Sequence, residues 1–245
     1  MRNLKLTIEY NGSKFYGWQK QHDKRTVQGE LERVFFDLTG EEVVVEGSGR
    51  TDKGVHAIGQ IASLFTNCNI PIKNLKKAIN NLLPDDIYVK KVELAEDGFH
   101  ARFSAKNKTY RYVVQVGGDR SPINYELKAF YPYSVDLEKM IECANLLIGS
   151  HNFKGFCSSG TQVKSFERDV FDIKIKKDGR TYTFDVSGNG FLYNMVRIIV
   201  GTILEYGRGK LTKEDIEKAL NNQERNRAGV VMPACGLYLK EVNYV

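Results

Sequence analysis

The amino-acid sequence predicts an α+β fold made of two tandem halves, each with the β-α-β-β-α-β order of the split ferredoxin-like unit. Three observations carry this prediction: alternating apolar residues at the start, apolar residues at helical spacing after them, and a return of the same order in the second half. A chain of 245 residues is long enough for two ordinary domains. We expect one domain at residues 1–105 and a second at residues 106–245.

The first half begins with a strand, because apolar residues alternate from Leu4 to Tyr10. A helix is predicted over residues 27–38, where Thr26 is placed to cap the first turn and Gly40 to end the helix. The remaining predicted elements of this half are strands at 42–48 and 57–66, a helix at 73–83 stopped by Pro84, and a strand at 86–94.

The second half repeats this order. Residues 109–116 are strand-like, and apolar residues from Leu137 to Ile148 recur at helical spacing. Asp178-Gly179 is a strong hairpin signal between two further strands. The other predicted elements are strands at 168–176 and 180–186, an apolar helix at 191–205, a short helix from Thr212, and a closing strand at 236–242.

Composition narrows the class of protein. The chain has 36 Lys and Arg against 30 Asp and Glu, and this net charge of +6 favours a polyanionic partner. The four cysteines lack any C-x-x-C spacing, which indicates reduced thiols in a cytoplasmic protein and supports neither a zinc site nor a disulfide framework. They are Cys68, Cys143, Cys157 and Cys235. No signal peptide is expected, and the longest apolar segment is too short to span a membrane.

The most informative segment is EGSGRTDKGVHAIGQ, residues 46–60. It places the carboxylate of Asp52 between Arg50 and Lys53, in a turn rich in glycine. Glycines let a backbone turn tightly and approach a ligand closely, while cations keep a carboxylate ionised and attract phosphate. The pattern suits a nucleophile that works on nucleic acid, but an Asx turn with a solvated charge cluster has the same spacing.

Other residues that could serve in chemistry or in packing lie outside the EGSGRTDKGVHAIGQ segment or at its end. Arg197 stands in the apolar run MVRIIVG, where its guanidinium must either extend to solvent or meet a carboxylate. Tyr110 and Tyr112 share one face of a predicted strand, an arrangement typical of core packing. His56 and His151 have no acid or cysteine at metal-ligand spacing, so we interpret both as structural.

Basic residues flank aromatic ones in two segments, near residues 14–20 and 100–108. In RNA recognition, cations meet phosphates and aromatic rings stack on exposed bases. Each segment also fits an ordinary solvated surface, so neither one decides the function.

The loop around Asp52 resembles the catalytic loop of the tRNA pseudouridine synthase A family. The residues that carry this likeness are Gly47, Gly49, Arg50, Thr51, Asp52, Gly54, Val55 and His56. Further segments resemble other blocks of the family in the same order: EYNGSKFYGWQKQ, TVQGELE, FHARFSAKNKTYRYVV, GSHNFKGFC, GNGFLYNMVRIIVG and MPACGLYL. Together they span roughly residues 9 to 239.

The resemblance implies roles for four residues. Asp52 would be the essential catalytic residue, with Arg197 paired to its carboxylate, and Tyr110 would stack on the target uracil and touch the reacting ribose. Arg50 would push the target nucleotide out of the helix or hold the vacated stack; a phosphate contact is the alternative for this side chain.

The resemblance also implies a substrate and an architecture. The substrate would be tRNA, at uridines 38, 39 and 40 of the anticodon stem-loop, and no metal or other cofactor would be needed. The protein would be a homodimer whose two domains join their sheets side by side, with the active site in a central RNA-binding cleft.

Two other functions are less consistent with the sequence. A tandem RNA-binding protein without catalysis would share the β-α-β-β-α-β order, but the aromatic octamer typical of such modules is absent from the sequence. A metal-dependent nuclease or deaminase would need clustered His, Cys and acidic ligands, which the sequence does not place together.

Overall fold

A computed structural model describes residues 1–160 and 163–245. The chain forms two compact units, both of mixed α/β structure with mainly antiparallel strands. Unit 1 comprises Met1–Lys106 and Tyr238–Val245, and unit 2 comprises Asn107–Leu237. Five α-helices are found in the described part of the chain.

Unit 1 is built on a sheet in which β1 lies between β3 and β4 and is antiparallel to both. The short strand β2 pairs antiparallel with β3. Alternate residues of β1 are fully buried, as the sequence pattern predicted. The elements are β1 Arg2–Tyr10, α1 Val27–Thr39, β2 Glu46–Gly47, β3 His56–Thr66, α2 Ile72–Leu82 and β4 Ile87–Leu94.

The predicted limits of α1 are confirmed. The Thr26 hydroxyl accepts a hydrogen bond from the Gly29 amide at 3.3 Å, and Gly40 ends the helix with a left-handed φ of 69°. The predicted strand at 42–48 is reduced to two residues. One reason is that the Val45 amide donates to the Glu32 carboxylate of α1 at 3.2 Å, so this amide is not available to a strand ladder.

Unit 2 contains the antiparallel order β5-β9-β8-β7, with β6 parallel to β5. The predicted hairpin is confirmed, with Asp178 opposite Thr181 and Gly179 in a left-handed conformation. The elements are β5 Asn107–Val116, β6 Ala129–Tyr131, α3 Leu137–Leu147, β7 Gly149–Asn152, β8 Glu167–Asp178, β9 Thr181–Gly188, α4 Met195–Gly207 and α5 Lys213–Asn221.

The apolar helix α4 starts four residues later than predicted. Asn194, which precedes it, has a φ of 61°, and a helix cannot run back through a left-handed residue. The strands β6 and β7 were not predicted, because three or four residues are too short to show a clear alternation.

The closing strand β10, Leu237–Asn243, belongs to unit 1 from Tyr238 onward. Tyr238 and Leu239 pair in parallel with His56 and Ala57 of β3. Here the observed units differ from the predicted division at 105/106, which left the whole C-terminus in the second domain. Pairing between strands so distant in sequence leaves no trace in local periodicity.

Among the residues that the structure describes, none of the helices combines the length and apolar character that a membrane span requires. The four cysteines are free thiols, and three of them are buried.

Candidate active site

The Asp52 loop, residues 48–55, connects β2 to β3 in unit 1. Asp52 is half-buried, and the preceding Thr51 is buried. The hydroxyls of Thr51 and Tyr10 are 2.7 Å apart, and the Thr51 carbonyl accepts a hydrogen bond from the Trp18 amide at 3.0 Å. The backbone just before the carboxylate is therefore held from two sides.

The backbone after Asp52 is also fixed. The Val55 amide donates to the Asp52 carbonyl at 3.1 Å, which closes a turn containing Gly54 at a φ of 77°. The Gly12 amide donates to Nδ1 of the buried His56 at 3.0 Å. The predicted structural role of His56 agrees with this contact.

Gly12 is needed for the close approach of its segment to the loop. A Cβ at this position would stand 1.9 Å from the Val55 carbonyl oxygen, and this atom belongs to backbone that cannot rotate away. The loop and the segment after β1 therefore fit together only when residue 12 lacks a side chain.

We expect Gly12→Ala to destabilise the fold by about 1–3 kcal/mol, the usual cost of overpacking. Turnover should also fall, because the displaced Val55 carries the loop with it. Urea unfolding and pseudouridine formation measure the two effects. As a control, Gly40→Ala meets no atom within 4 Å, so it should cost stability through its left-handed φ and leave turnover unchanged.

A buried polar network supports the start of the loop. The Gln60 side chain donates to the Gly49 carbonyl at 2.9 Å and accepts from the Ser48 hydroxyl at 2.7 Å. Burial raises the pKa of Tyr10 well above its usual value, although hydrogen bonds with Thr51 and Gln60 oppose the shift. The phenol therefore stays neutral throughout the physiological pH range.

Two cations flank the carboxylate at the surface. Arg50 is exposed, and its Nε donates to the Gln19 side chain at 3.0 Å. The Lys53 ammonium lies 4.2 Å from the centre of the Tyr16 ring. Both contacts orient a side chain and leave its positive charge unneutralised.

The first basic and aromatic segment only partly matches the interpretation as an RNA surface. Phe15 and Trp18 are 1% and 2% exposed, so their rings cannot stack on bases. Tyr16, 41% exposed, is the aromatic ring of this segment that remains accessible. The buried rings instead pack in the core; a Cβ at Gly47 would lie 2.5 Å from the Trp18 ring.

Tyr110 lies on β5 in unit 2, half-buried, with the Phe191 ring edge-on at a centroid distance of 5.3 Å. Tyr112, on the same face, is completely buried and donates from its hydroxyl to the Pro233 carbonyl at 2.7 Å. The core role predicted for Tyr112 is confirmed. Tyr110 differs because it sits at the accessible end of this face.

Arg197 lies in the first turn of α4 and is half-buried. Its Nη1 donates to the Asn194 side chain at 2.6 Å, and its Nε donates to the Met232 carbonyl. Asn194 is held in turn by the Ser158 hydroxyl at 2.9 Å. These contacts fix the guanidinium, so a freely extended, solvated side chain is excluded. The ion pair with Asp52, a residue of unit 1, stays a prediction.

A family model described as tRNA pseudouridine synthase matches residues 6–104 and 143–245. The chain belongs to this family. Members are isomerases that act on tRNA and convert uridine to pseudouridine, and this chain is one of them.

Three relatives named tRNA pseudouridine synthase A match over nearly the whole length. The protein of Acetivibrio thermocellus is 43% identical over all of both chains. The protein of Anoxybacillus flavithermus is 45% identical over 100% of this chain and 99% of its own. The protein of Geobacillus kaustophilus is 46% identical over 99% of this chain and 95% of its own.

In this pseudouridine synthase the structure adds residues that the sequence did not single out. Phe191 and Asn194 contact Tyr110 and Arg197, and Gln19 contacts Arg50. The segment GNGFLYNM was available as a signal for the first two, and Asn is one of the few residues that tolerate a left-handed φ. Nothing in the sequence pointed to Gln19.

The second histidine has a local contact. A ring nitrogen of His151 lies 3.1 Å from the Ile148 carbonyl oxygen, and the ring packs edge-on against Phe153. In residues 1–160 and 163–245, no three His, Cys, Asp or Glu side chains gather in a way that could hold a metal ion.

Proposed function

We propose that this pseudouridine synthase modifies uridines 38, 39 and 40 of the anticodon stem-loop, with Asp52 as its catalytic residue. The observation that carries the proposal is the construction of the Asp52 loop. Hydrogen bonds with Tyr10, Trp18 and Gln60 hold Thr51 and Gly49, the residues that lead to the half-buried carboxylate. A catalytic group held this rigidly needs little reorganisation when it reacts.

We further infer two tandem ferredoxin-like halves, with joined sheets and a central RNA-binding cleft. In unit 1 the sheet order β4-β1-β3-β2 supports this, since it is the antiparallel order of a split β-α-β-β-α-β unit. The chain order β5, α3, β8, β9, α4 and β10 repeats the sequence of elements. The expected partners are tRNA and a second copy of the chain, and the expected compartment is the cytoplasm.

The reaction can be completed without an external cofactor. The C1′–N1 bond breaks, the uracil turns within the pocket, and a C1′–C5 bond forms; C5 then loses its proton and N1 takes one up, so atoms balance. The leaving group is thus also the returning nucleophile. A paired base is inaccessible inside a stem, so the nucleotide must flip out before chemistry begins.

Asp52 has three possible roles that the residues do not separate. It could attack C6 of the base, attack C1′ of the ribose, or take a ribose proton that opens a glycal route. Arg197, if paired with the carboxylate, would lower its pKa and fix its rotamer. Arg50 would fill the vacated stack or contact phosphate.

Tyr110 would hold the flipped base by stacking, which is worth about 1–3 kcal/mol per base. That energy is sufficient to keep uracil in place while its glycosidic bond is broken. Phe191 would keep the Tyr110 ring upright through their edge-on contact.

The direct test is incubation with unmodified tRNA, followed by digestion and chromatography for pseudouridine. A matched tRNA with cytidines at positions 38, 39 and 40 should give no product. Prior dialysis against EDTA should leave the activity intact, and a loss restored only by added metal would contradict the cofactor-free chemistry. A protein that binds tRNA without forming product would favour the non-catalytic RNA-binding alternative.

We expect Tyr110→Phe to reduce turnover strongly while tRNA affinity persists, if the hydroxyl serves the ribose chemistry. Single-turnover rates and filter binding measure these two quantities. Tyr112→Phe is the matched control: it removes the hydrogen bond that the buried Tyr112 donates to the Pro233 carbonyl, which should cost about 0.5–1.5 kcal/mol in stability and leave turnover unchanged. Near-normal rates for Tyr110→Phe would restrict Tyr110 to stacking.

A further inference from the structure

Arg168, on β8 of unit 2, is a half-buried arginine whose observed acceptors are backbone carbonyls. Its Nη1 donates to the Ser165 carbonyl at 3.0 Å and to the Glu167 carbonyl. Within residues 1–160 and 163–245, no carboxylate forms an ion pair with it. Burial lowers the pKa of this guanidinium, although the Cys157 thiol opposes the shift. The fold thus keeps a cation where burial disfavours its charge.

The strand register places Arg168 on the same face of the sheet as Tyr110, two strands away. Tyr110 lies opposite Val186 of β9, and Gly188, two residues further along β9, lies opposite Val170 of β8. Arg168 is two residues before Val170, so the pleat of the sheet puts it on the face that carries Tyr110.

The segment after β9 contacts both Arg168 and Tyr110, through two successive residues. A Cβ on Gly190 would lie 3.8 Å from Nε of Arg168, so the guanidinium lies beside this glycine. The next residue, Phe191, places its ring edge-on to Tyr110. Arg168 therefore lies beside the residue that precedes Phe191, the aromatic partner of the Tyr110 ring that we expect to receive the flipped uracil.

The position of Arg168 is fixed by its neighbour Asp169. The Asp169 carboxylate accepts from the Asn189 side chain at 2.8 Å and from the Ser150 hydroxyl, and the Asp169 carbonyl accepts from the Asn189 amide at 3.1 Å. These bonds fasten β8 to the turn that leads into Gly190. The Asp169 carboxylate thus binds the neutral side chains of Asn189 and Ser150 rather than Arg168.

A second arginine near Tyr110 shows the contrast. Arg111 follows Tyr110 on β5, and its Nε and Nη2 donate to the two carboxylate oxygens of Asp185, both at 2.8 Å. The Asp185 carboxylate therefore neutralises the charge of Arg111. Among the residues that the structure describes, Arg168 has no such carboxylate partner, and its positive charge is therefore available to a ligand.

We propose that Arg168 binds a backbone phosphate of the RNA next to the target nucleotide, as a positioning residue for the flipped base. The inference rests on the proposed function, because it takes Tyr110 as the residue that receives the uracil. A guanidinium presents paired donors that match phosphate oxygens, and a phosphate held beside the base would fix the backbone of the extruded nucleotide.

The first test compares Arg168→Gln with Lys176→Gln, which removes the same charge from an exposed position on the same strand. For one lost phosphate contact, the slope of log affinity against log salt should fall by about 0.7–1 in Arg168→Gln. KM for tRNA should rise more than kcat falls. Lys176→Gln should keep the wild-type slope. An unchanged slope in Arg168→Gln would overturn the proposal.

Arg168→Lys keeps the charge and should keep the wild-type slope, with weaker affinity because the paired donors are lost. A second measurement uses only the wild-type protein and Arg168→Lys. In the wild-type protein, the Nε–H signal of Arg168, assigned by its loss in Arg168→Lys, should shift on adding an anticodon stem-loop. A signal that does not move would contradict the phosphate contact.

Two controls separate the possible causes. Inorganic phosphate at the same ionic strength should move the Nε–H signal less than the stem-loop, and an equal shift would mean a general anion site instead of an RNA contact.

In the second control, wild-type enzyme is assayed on the same tRNA. Absence of product from the wild type would refute the proposed function, whereas an active wild type with an unaltered Arg168→Gln slope refutes only the role of Arg168.

Discussion

Asp52→Asn is expected to abolish pseudouridine formation while the fold and tRNA binding persist. The substitution is nearly isosteric, and the loop is held by backbone bonds and by Tyr10, Trp18 and Gln60 rather than by the carboxylate alone. It removes the nucleophile and the base in each of the three mechanisms. Affinity for tRNA could rise slightly, because one negative charge near phosphate is lost.

Stoichiometric enzyme should therefore yield no detectable pseudouridine over hours, with tRNA still retained in a filter-binding assay. Asp178→Asn, in the turn of the β8-β9 hairpin, changes the charge equally and should leave turnover normal. If Asp52→Asn retained turnover within about tenfold of wild type, only ~1.4 kcal/mol of barrier, Asp52 would be an ordinary turn residue.

Arg197→Met is expected to give a folded protein with turnover reduced about a hundredfold or more, equivalent to ~2.7 kcal/mol of barrier. Methionine keeps the apolar stem inside α4 but removes the guanidinium that the Asn194 side chain and the Met232 carbonyl hold in place. Binding of tRNA should change little, because the lost charge is expected to face the Asp52 carboxylate rather than phosphate.

Arg208→Met is the matched control, since Arg208 caps the other end of α4 and contacts the Tyr133 ring. It removes the same charge, and turnover should stay normal. Circular dichroism and urea unfolding establish that both variants are folded. Unchanged turnover in Arg197→Met would show that the fixed guanidinium serves only to join α4 to the Met232 segment.

Local patterns predicted most helices and strands. The cap at Thr26, the glycine end at Gly40 and the hairpin at Asp178-Gly179 were all found where the residue types require them. These features depend on contacts between residues close in sequence, and backbone conformational preferences decide them. Where a tertiary hydrogen bond intervened, as at Val45, the predicted strand was reduced to two residues.

The sequence also pointed to the family and to the residues of the candidate site, because chemistry requires particular side chains at particular spacings. It could not show which of these side chains are fixed in position, or which contacts fix them. The accessible Tyr110 and the buried Tyr112 have the same alternation, and the difference between them arises from what packs over each ring. Likewise, local periodicity did not distinguish the buried Phe15 from the exposed Tyr16.

What the sequence determined by itself was therefore most of the elements, the position of the candidate carboxylate Asp52 in its loop, and membership of the tRNA pseudouridine synthase family. Only the tertiary structure decided that β10 returns to pair with β3, that Arg197 is held by Asn194 and Met232, and that Arg168 donates to backbone carbonyls. The physical reason is the same in each case. These contacts join residues far apart in the chain, and their energies depend on distance and burial in three dimensions rather than on the spacing of residue types.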